Sequence, residues 1–153
     1  MNFKNYLDIA KEAAKEAGNF LIKNKLSKKE VYSEVGRDIK LELDRETENL
    51  IRKKLKSTNI DILGEEFGGD ASLNSKRWVI DPIDGTANYF RGLDQCCVSI
   101  ALMDKGKSIV GVVYNFNTDE MFYAAEGLGC YLNGSKVIVS KISLKSLGCL
   151  ILK

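Results

Sequence analysis

The 153-residue sequence contains no histidine. That absence removes every mechanism built on an imidazole base, a Ser-His-Asp triad or a phosphohistidine. Whatever chemistry occurs must use carboxylates, hydroxyls, lysines or metals. Cysteine is sparse: positions 96, 97, 130 and 149 lack the CxxC spacing of a zinc site, and the adjacent Cys96-Cys97 pair is expected on opposite faces of a strand. The four read as reduced and structural. An excess of one charge is missing too. Lys plus Arg number 23 and Asp plus Glu 21, a spread-out net charge of +2 that implies neither a nucleic-acid nor a membrane partner. No apolar run is long enough to cross a bilayer, and Met1 to Ala10 carries Lys4 and Asp8 where a signal peptide would be apolar. These features point to a cytoplasmic protein. The single proline, Pro82, stands in the most informative segment of the chain.

At 44% hydrophobic and 29% charged, the composition is that of an ordinary globular domain able to bury one core. From Asn2 to about Asn24, Phe3, Leu7, Ala10, Ala14, Ala17 and Leu21 recur at spacings of three and four, which predicts an amphipathic helix. After a lysine-rich connection a second helical pattern runs from about Leu41 to Leu55, with Leu43, Thr47, Leu50, Ile51 and Leu55 on one side. The texture then changes to short apolar runs: Ile60 to Leu63, Trp78 to Ile80, Val98 to Met103, Ile109 to Tyr114 and Met121 to Ala125. Turn residues at 104–107 and 115–119, and Asn133-Gly134, predict consecutive hairpins. The expected architecture is α+β, with two N-terminal helices packed on a largely antiparallel sheet. The sequence stops at an apolar, strand-like stretch, Leu147 to Leu152, so the expectation is that 1–153 forms the N-terminal domain of a longer protein.

The chemistry-bearing residues lie between Gly64 and Thr86. Asp81-Pro82-Ile83-Asp84-Gly85-Thr86 follows Trp78-Val79-Ile80, so Asp81 is expected at a strand end. Pro82 fixes its own φ and pushes Asp81 toward an extended conformation, which stiffens the turn. Asp84, Gly85 and Thr86 are residue types that open helices, where free backbone N–H groups suit phosphate oxygens. Taken singly, each piece has a plainer reading: a surface turn for Asp81 to Gly85, a solvated pair for Glu65-Glu66, a turn residue or cap for Asp38 and Asp44. Together, two aspartates three residues apart and the Glu65-Glu66 pair would raise one another's pKa if left bare. A divalent cation resolves that conflict. With only oxygen donors, Mg²⁺ or Mn²⁺ is favoured over zinc or iron.

In order, Asp44, Gly64-Glu65-Glu66, Trp78 through Tyr89, Val98-Ser99-Ile100-Ala101, Gly111 to Tyr114 and Gly127 to Gly134 resemble the lithium-sensitive inositol monophosphatase family. The resemblance spans essentially the whole chain. It implies part of an αβαβα sugar-phosphatase fold, two or more Mg²⁺ ions, and hydrolysis of a small phosphate monoester by a metal-activated water. It also implies a homodimer when the protein is complete. Residue by residue, Glu65, Asp81, Asp84 and the Ile83 carbonyl would bind metal, with Asp81 bridging two cations. Gly85 and Thr86 would hold phosphate through their N–H groups, beside Asp84. The Thr86 hydroxyl and Glu65 would orient the attacking water, and Asp44 would support Thr86.

Three departures from the family pattern are visible. Between Asp38 and Asp44 the family carries threonine, whereas this chain has Ile39, Lys40, Leu41, Glu42 and Leu43. A later family motif of Trp-Asp, which supplies another ligand of the second metal, is absent; the only tryptophan, Trp78, precedes Val79. Most family contacts to the organic part of the substrate also lie beyond position 153. Inositol-1-phosphate is the substrate the resemblance points to first, with fructose-1,6-bisphosphatase, histidinol phosphatase and 3'(2'),5'-bisphosphate nucleotidase activities as alternatives. The rival from another class is a truncated, non-catalytic binding module.

Overall fold

The computed structural model describes residues 3–26, 31–35, 38–69 and 75–139, with the backbone alone over 32–35 and 38–40. Helix α1 (Phe3–Asn24) buries Leu7, Ala10, Ala14, Ala17 and Leu21, the stripe expected from the three-and-four spacing. Small residues on that stripe let the helix lie close to the sheet. Gly18 marks the tightest approach, because a Cβ there would stand 2.8 Å from the Cβ of Phe116 and against the Tyr114 ring. Where a plain lysine-rich connection was expected, the chain instead forms an antiparallel hairpin of β1 (Val31–Val35) and β2 (Asp38–Leu41). Charged neighbours masked the short Val31 to Val35 run of strand-forming residues.

Helix α2 (Glu42–Leu55) buries Asp44, Thr47 and Glu48 together with Leu43, Ile51 and Leu55. The expected apolar stripe is therefore partly carboxylate, and Leu50 sits at its half-exposed edge. A 3₁₀ turn at Lys56–Thr58 leads into β3 (Asp61–Gly64). Thr58 Oγ1 there accepts a 3.0 Å hydrogen bond from the indole of the buried Trp78. Then come β4 (Arg77–Asp84), the short helix α3 (Thr86–Phe90), β5 (Cys97–Asp104), β6 (Lys107–Asn115), β7 (Glu120–Ala125), β8 (Gly129–Leu132) and β9 (Ser135–Val137).

The seven strands β3 to β9 form one sheet in chain order. Only β3 and β4 pair in parallel; every other neighbouring pair is antiparallel. The sheet is thus largely antiparallel and lies beside two packed helices, as the sequence predicts. Burial alternates along the strands: Trp78 and Ile80, Val98, Ile100 and Leu102, and Val110, Val112 and Tyr114 are buried in a core shared with α1 and α2. On the other face Val113 is 44% and Phe122 43% exposed.

Two local expectations change. Asp81 does not end its strand, because β4 continues through Pro82 to Asp84, with its register against β5 slipping between Asp81 and Asp84. Pro82 withholds a ladder donor there, which suits a bulge. Cys96 lies before β5 rather than in it; it is buried, while Cys97 is half-buried. Cys96, Cys97 and Cys130 are free thiols. Cys149 and the Leu147 to Leu152 stretch lie outside the described residues. Among the described residues no helix is long and apolar enough to cross a membrane.

Candidate metal and phosphate site

Parallel pairing sends β3 and β4 in the same direction, so Gly64 lies beside Ile80 and the turn after β3 opens next to Asp81. Glu65 is exposed on that turn. Asp81 is half-buried on β4, Ile83 is buried, and Asp84 is exposed at the strand's end. Gly85 follows with φ 90°, a left-handed conformation that favours glycine, and a Cβ there would meet the Gln95 carbonyl oxygen at 2.8 Å. Thr86 opens α3. Glu65, Asp81, Ile83, Asp84, Gly85 and Thr86 line one open cleft of about 230 Å³.

The Asp81 carboxylate accepts a 3.1 Å hydrogen bond from the Ile83 N–H, which ties it to its own turn. Burial, then the charges of Glu65 and Asp84 and a hydrogen-bond contact with Glu65, push its pKa up to about 7. The structure thus contains the carboxylate conflict expected from the sequence. Asp84 faces another neighbour: its Oδ2 lies 3.8 Å from the Cys97 thiol. Burial and the carboxylates of Asp84 and Asp81 push that thiol up to about 12, so it remains protonated. No three carboxylate or thiol groups form a ready-made cation cage among the described residues. The donor set is nevertheless all hard oxygen, with one carboxyl forced toward neutrality, which fits a divalent cation such as Mg²⁺.

Asp44 reaches this cleft from α2 and is only 2% exposed. Its Oδ2 accepts the Leu41 N–H at 2.6 Å, closing the first turn of α2, and its Oδ1 lies 3.1 Å from the Thr86 hydroxyl. The same hydroxyl lies 2.9 Å from the Ile83 carbonyl oxygen. A hydroxyl has one hydrogen, so it donates to one of these acceptors at a time and keeps its lone pairs for a third partner. Of the residues singled out from the sequence, Asp44, Glu65, Asp81, Ile83, Asp84, Gly85 and Thr86 come together. The Asp38 side chain lies outside the described residues.

Sequence reasoning missed Glu48 and Arg52, which hold the turn that bears Glu65. Glu48 is fully buried, accepts the Glu66 N–H at 2.7 Å and the Phe67 N–H at 3.3 Å, and pairs with Arg52 at 2.7 Å. The available signal was a glutamate four residues after Asp44 and three before Ile51, in line with the buried stripe.

Residues 2–152 match the model of the inositol monophosphatase family. The chain belongs to that family. It is 36% identical over 152 residues to a fructose-1,6-bisphosphatase/inositol-1-monophosphatase of Aquifex aeolicus, covering 96% of this chain and 58% of that protein. It is 40% identical over 141 residues to the Nus factor SuhB of Xylella fastidiosa, covering 90% and 51%. Among solved structures, inositol monophosphatase from Anabaena superposes with a TM-score of 0.79 at 34% identity, covering 94% of this chain and 52% of that one. The Thermotoga maritima enzyme of the same name gives 0.81 at 31%, covering 90% and 54%. The chain therefore spans about half the length of these relatives.

Proposed function

We propose that this chain supplies the metal- and phosphate-binding half of a Mg²⁺-dependent phosphatase that hydrolyses a small phosphate monoester, and that the remaining half is contributed by further sequence. The observation that carries the reading is the convergence of Glu65, Asp81, Asp84 and the Ile83 carbonyl on one cleft with the Asp44-supported hydroxyl of Thr86. Glu65, Asp81, Ile83 and Asp84 would hold the cations. When bound, they supply charge against the phosphate and the leaving alkoxide and lower the pKa of water.

The chain's own groups do the rest. With its hydroxyl hydrogen donated to Asp44, Thr86 Oγ1 accepts a hydrogen bond from the attacking water, and the Glu65 carboxylate accepts the water's proton. The water oxygen bonds to phosphorus as the bond to the ester oxygen breaks, the departing alkoxide takes a proton from solvent water, and the Glu65 carboxyl later returns its own proton to solvent. Backbone N–H groups of Gly85 and Thr86 hold phosphate oxygens; glycine at 85 permits the left-handed backbone that presents them beside the Gln95 carbonyl. Neither histidine nor a covalent phosphoenzyme is required.

Inositol-1-phosphate is the first candidate substrate. The double name of the Aquifex relative keeps fructose 1,6-bisphosphate in view, and histidinol phosphate and 3'(2'),5'-bisphosphates remain the alternatives to which the sequence resemblance extends. The name of the Xylella relative, a Nus factor, supports a second reading in which the chain acts as a binding partner without catalysis. Calorimetric titration with Mg²⁺ or Mn²⁺ should show weak binding that Asp81→Asn abolishes; identical titrations would count against the site. In a product carrying both halves, phosphate release across these substrates should be magnesium-dependent, and Asp84→Asn should lower turnover at least about a hundredfold. Near-normal turnover of that variant at saturating magnesium would sink its role. The 153-residue chain alone should have little activity.

A further inference from the structure

We propose that Glu48 and Arg52 of α2 are positioning residues that set the cation affinity of Glu65 without contacting the cation. The inference rests on the reading of Glu65 as a metal ligand. Glu65 itself stands on an exposed turn, where a side chain would ordinarily sample many positions. Its turn, however, is tied to the interior at both ends. Glu48, fully buried, accepts the N–H groups of Glu66 and Phe67, the two residues that follow Glu65. Arg52 grips the carbonyl oxygens on either side, Ile62 at 3.3 Å and Gly68 at 2.5 Å. The Glu48 to Arg52 ion pair at 2.7 Å fixes the two grips relative to each other. Gly64 completes the device: a Cβ at that position would run into the Glu48 carboxylate, so the carboxylate occupies the space that a side chain would fill.

These contacts are made from the same helix that holds Thr86 through Asp44, one turn earlier. A single rigid helix therefore registers both the Glu65 turn and the Thr86 hydroxyl. Partners that orient metal ligands typically change affinity about 10- to 100-fold when removed. Neither Glu48 nor Arg52 lines the cleft, so their effect runs through the turn backbone.

The test uses the 153-residue chain with Mn²⁺ as probe, free Mn²⁺ followed by electron paramagnetic resonance, and amide hydrogen exchange measured without metal. Glu48→Gln keeps the shape but replaces one acceptor oxygen by a donor; Arg52→Lys keeps charge but loses the paired carbonyl contacts. Each should weaken Mn²⁺ binding at least about tenfold. The amides of Glu66 and Phe67 should exchange faster in Glu48→Gln, while those of Ile100 and Val112 on β5 and β6 stay as in the parent. Glu48→Asp should restore part of the affinity. Asp81→Asn serves as the reference loss of a ligand. Unchanged Mn²⁺ affinity in both α2 variants, beside a loss in Asp81→Asn, would overturn the positioning role and leave the site reading intact. Uniformly faster exchange across the sheet in both would make the role merely structural and overturn it too. If Asp81→Asn binds Mn²⁺ as well as the parent, the site reading falls and this inference falls with it. Should Glu48→Gln fail to fold, Arg52→Lys decides alone.

Discussion

Two short segments bring the carboxylates of the cleft together, and they are held in different ways. The Asp81 to Thr86 segment is shaped locally, by Pro82, by the Asp81 to Ile83 hydrogen bond, by the left-handed Gly85 and by the ladder to β5. The Glu65 turn is closed locally by the Gly64 N–H to Gly68 carbonyl hydrogen bond at 3.0 Å and leans further on side chains that reach from α2, 18 or more residues earlier for Glu48. A locally determined segment tolerates the loss of one feature, whereas a segment held from a distance depends on each of its few ties.

The sharpest way to break that contrast is to cut one tie in each segment and compare urea unfolding. Glu48→Leu leaves the guanidinium of Arg52, 21% exposed, without its carboxylate and strands the Glu66 and Phe67 amides. The expected loss is about 3–5 kcal/mol. Pro82→Ala in the other segment acts mainly by loosening the unfolded chain and should cost about 0.4–1 kcal/mol. Comparable losses from the two variants would show that the segments are held alike.

Next in size is a pH effect that centres on Asp81 of the β4 segment, with burial of Glu66 on the other turn acting in the same direction. The Asp81 pKa lies above its ordinary 3.8, at about 7, so between these values the folded chain binds more protons than the unfolded one. Stability without metal should therefore fall as pH rises through that window. Thermal melts in chelator should show the slope, and Asp81→Asn should flatten most of it. A flat profile in the parent would mean that burial and the neighbouring charges do not act on Asp81 as described.

The smallest expected effect lies far from both segments. Lys15 Nζ donates to Asp119 at 2.6 Å and the Tyr114 hydroxyl donates to the same carboxylate at 2.9 Å, and these contacts lower the Asp119 pKa. That contribution is present above the ordinary carboxylate value and is lost as pH falls through the lowered one. Because the pair is exposed and salt-screened, Lys15→Met should shift the melting temperature only slightly, and less still at high salt. A shift as large as that of Glu48→Leu would place a critical tie on the surface.

Much of this was legible in the sequence because its signals are local. The stripe from Leu7 to Leu21, the alternation from Val98 to Met103 and the Asn133-Gly134 turn each fix one element within a few residues. The cleft was legible for the same reason on β4, and through the family resemblance for Asp44 and Glu65. The β1–β2 hairpin was not, since a short charged strand pair resembles a solvated connection. Nor was the latch on the Glu65 turn. A buried glutamate on a helix looks like surface charge until the backbone amides it satisfies are known, and those lie on a turn whose approach depends on the whole fold. The same holds for Cys97, whose place beside Asp84 follows from a register slip that no local pattern announces.

The order of strands in the sheet is the order of strands in the chain. Every described residue that lines the carboxylate cleft precedes Cys97, so a growing polypeptide presents these groups before β5 to β9 exist. The α2 ties come earlier still, but other supports come later. Tyr114 and Phe116 receive α1 at Gly18, Asn115 and Asn117 hold the Asp94 carbonyl at 3.2 and 3.4 Å, and the neighbouring Gln95 carbonyl stands against Gly85. During synthesis the reactive groups and the α2 side chains that tie them are thus written first, and the frame behind them closes last, when the meander folds over the helices.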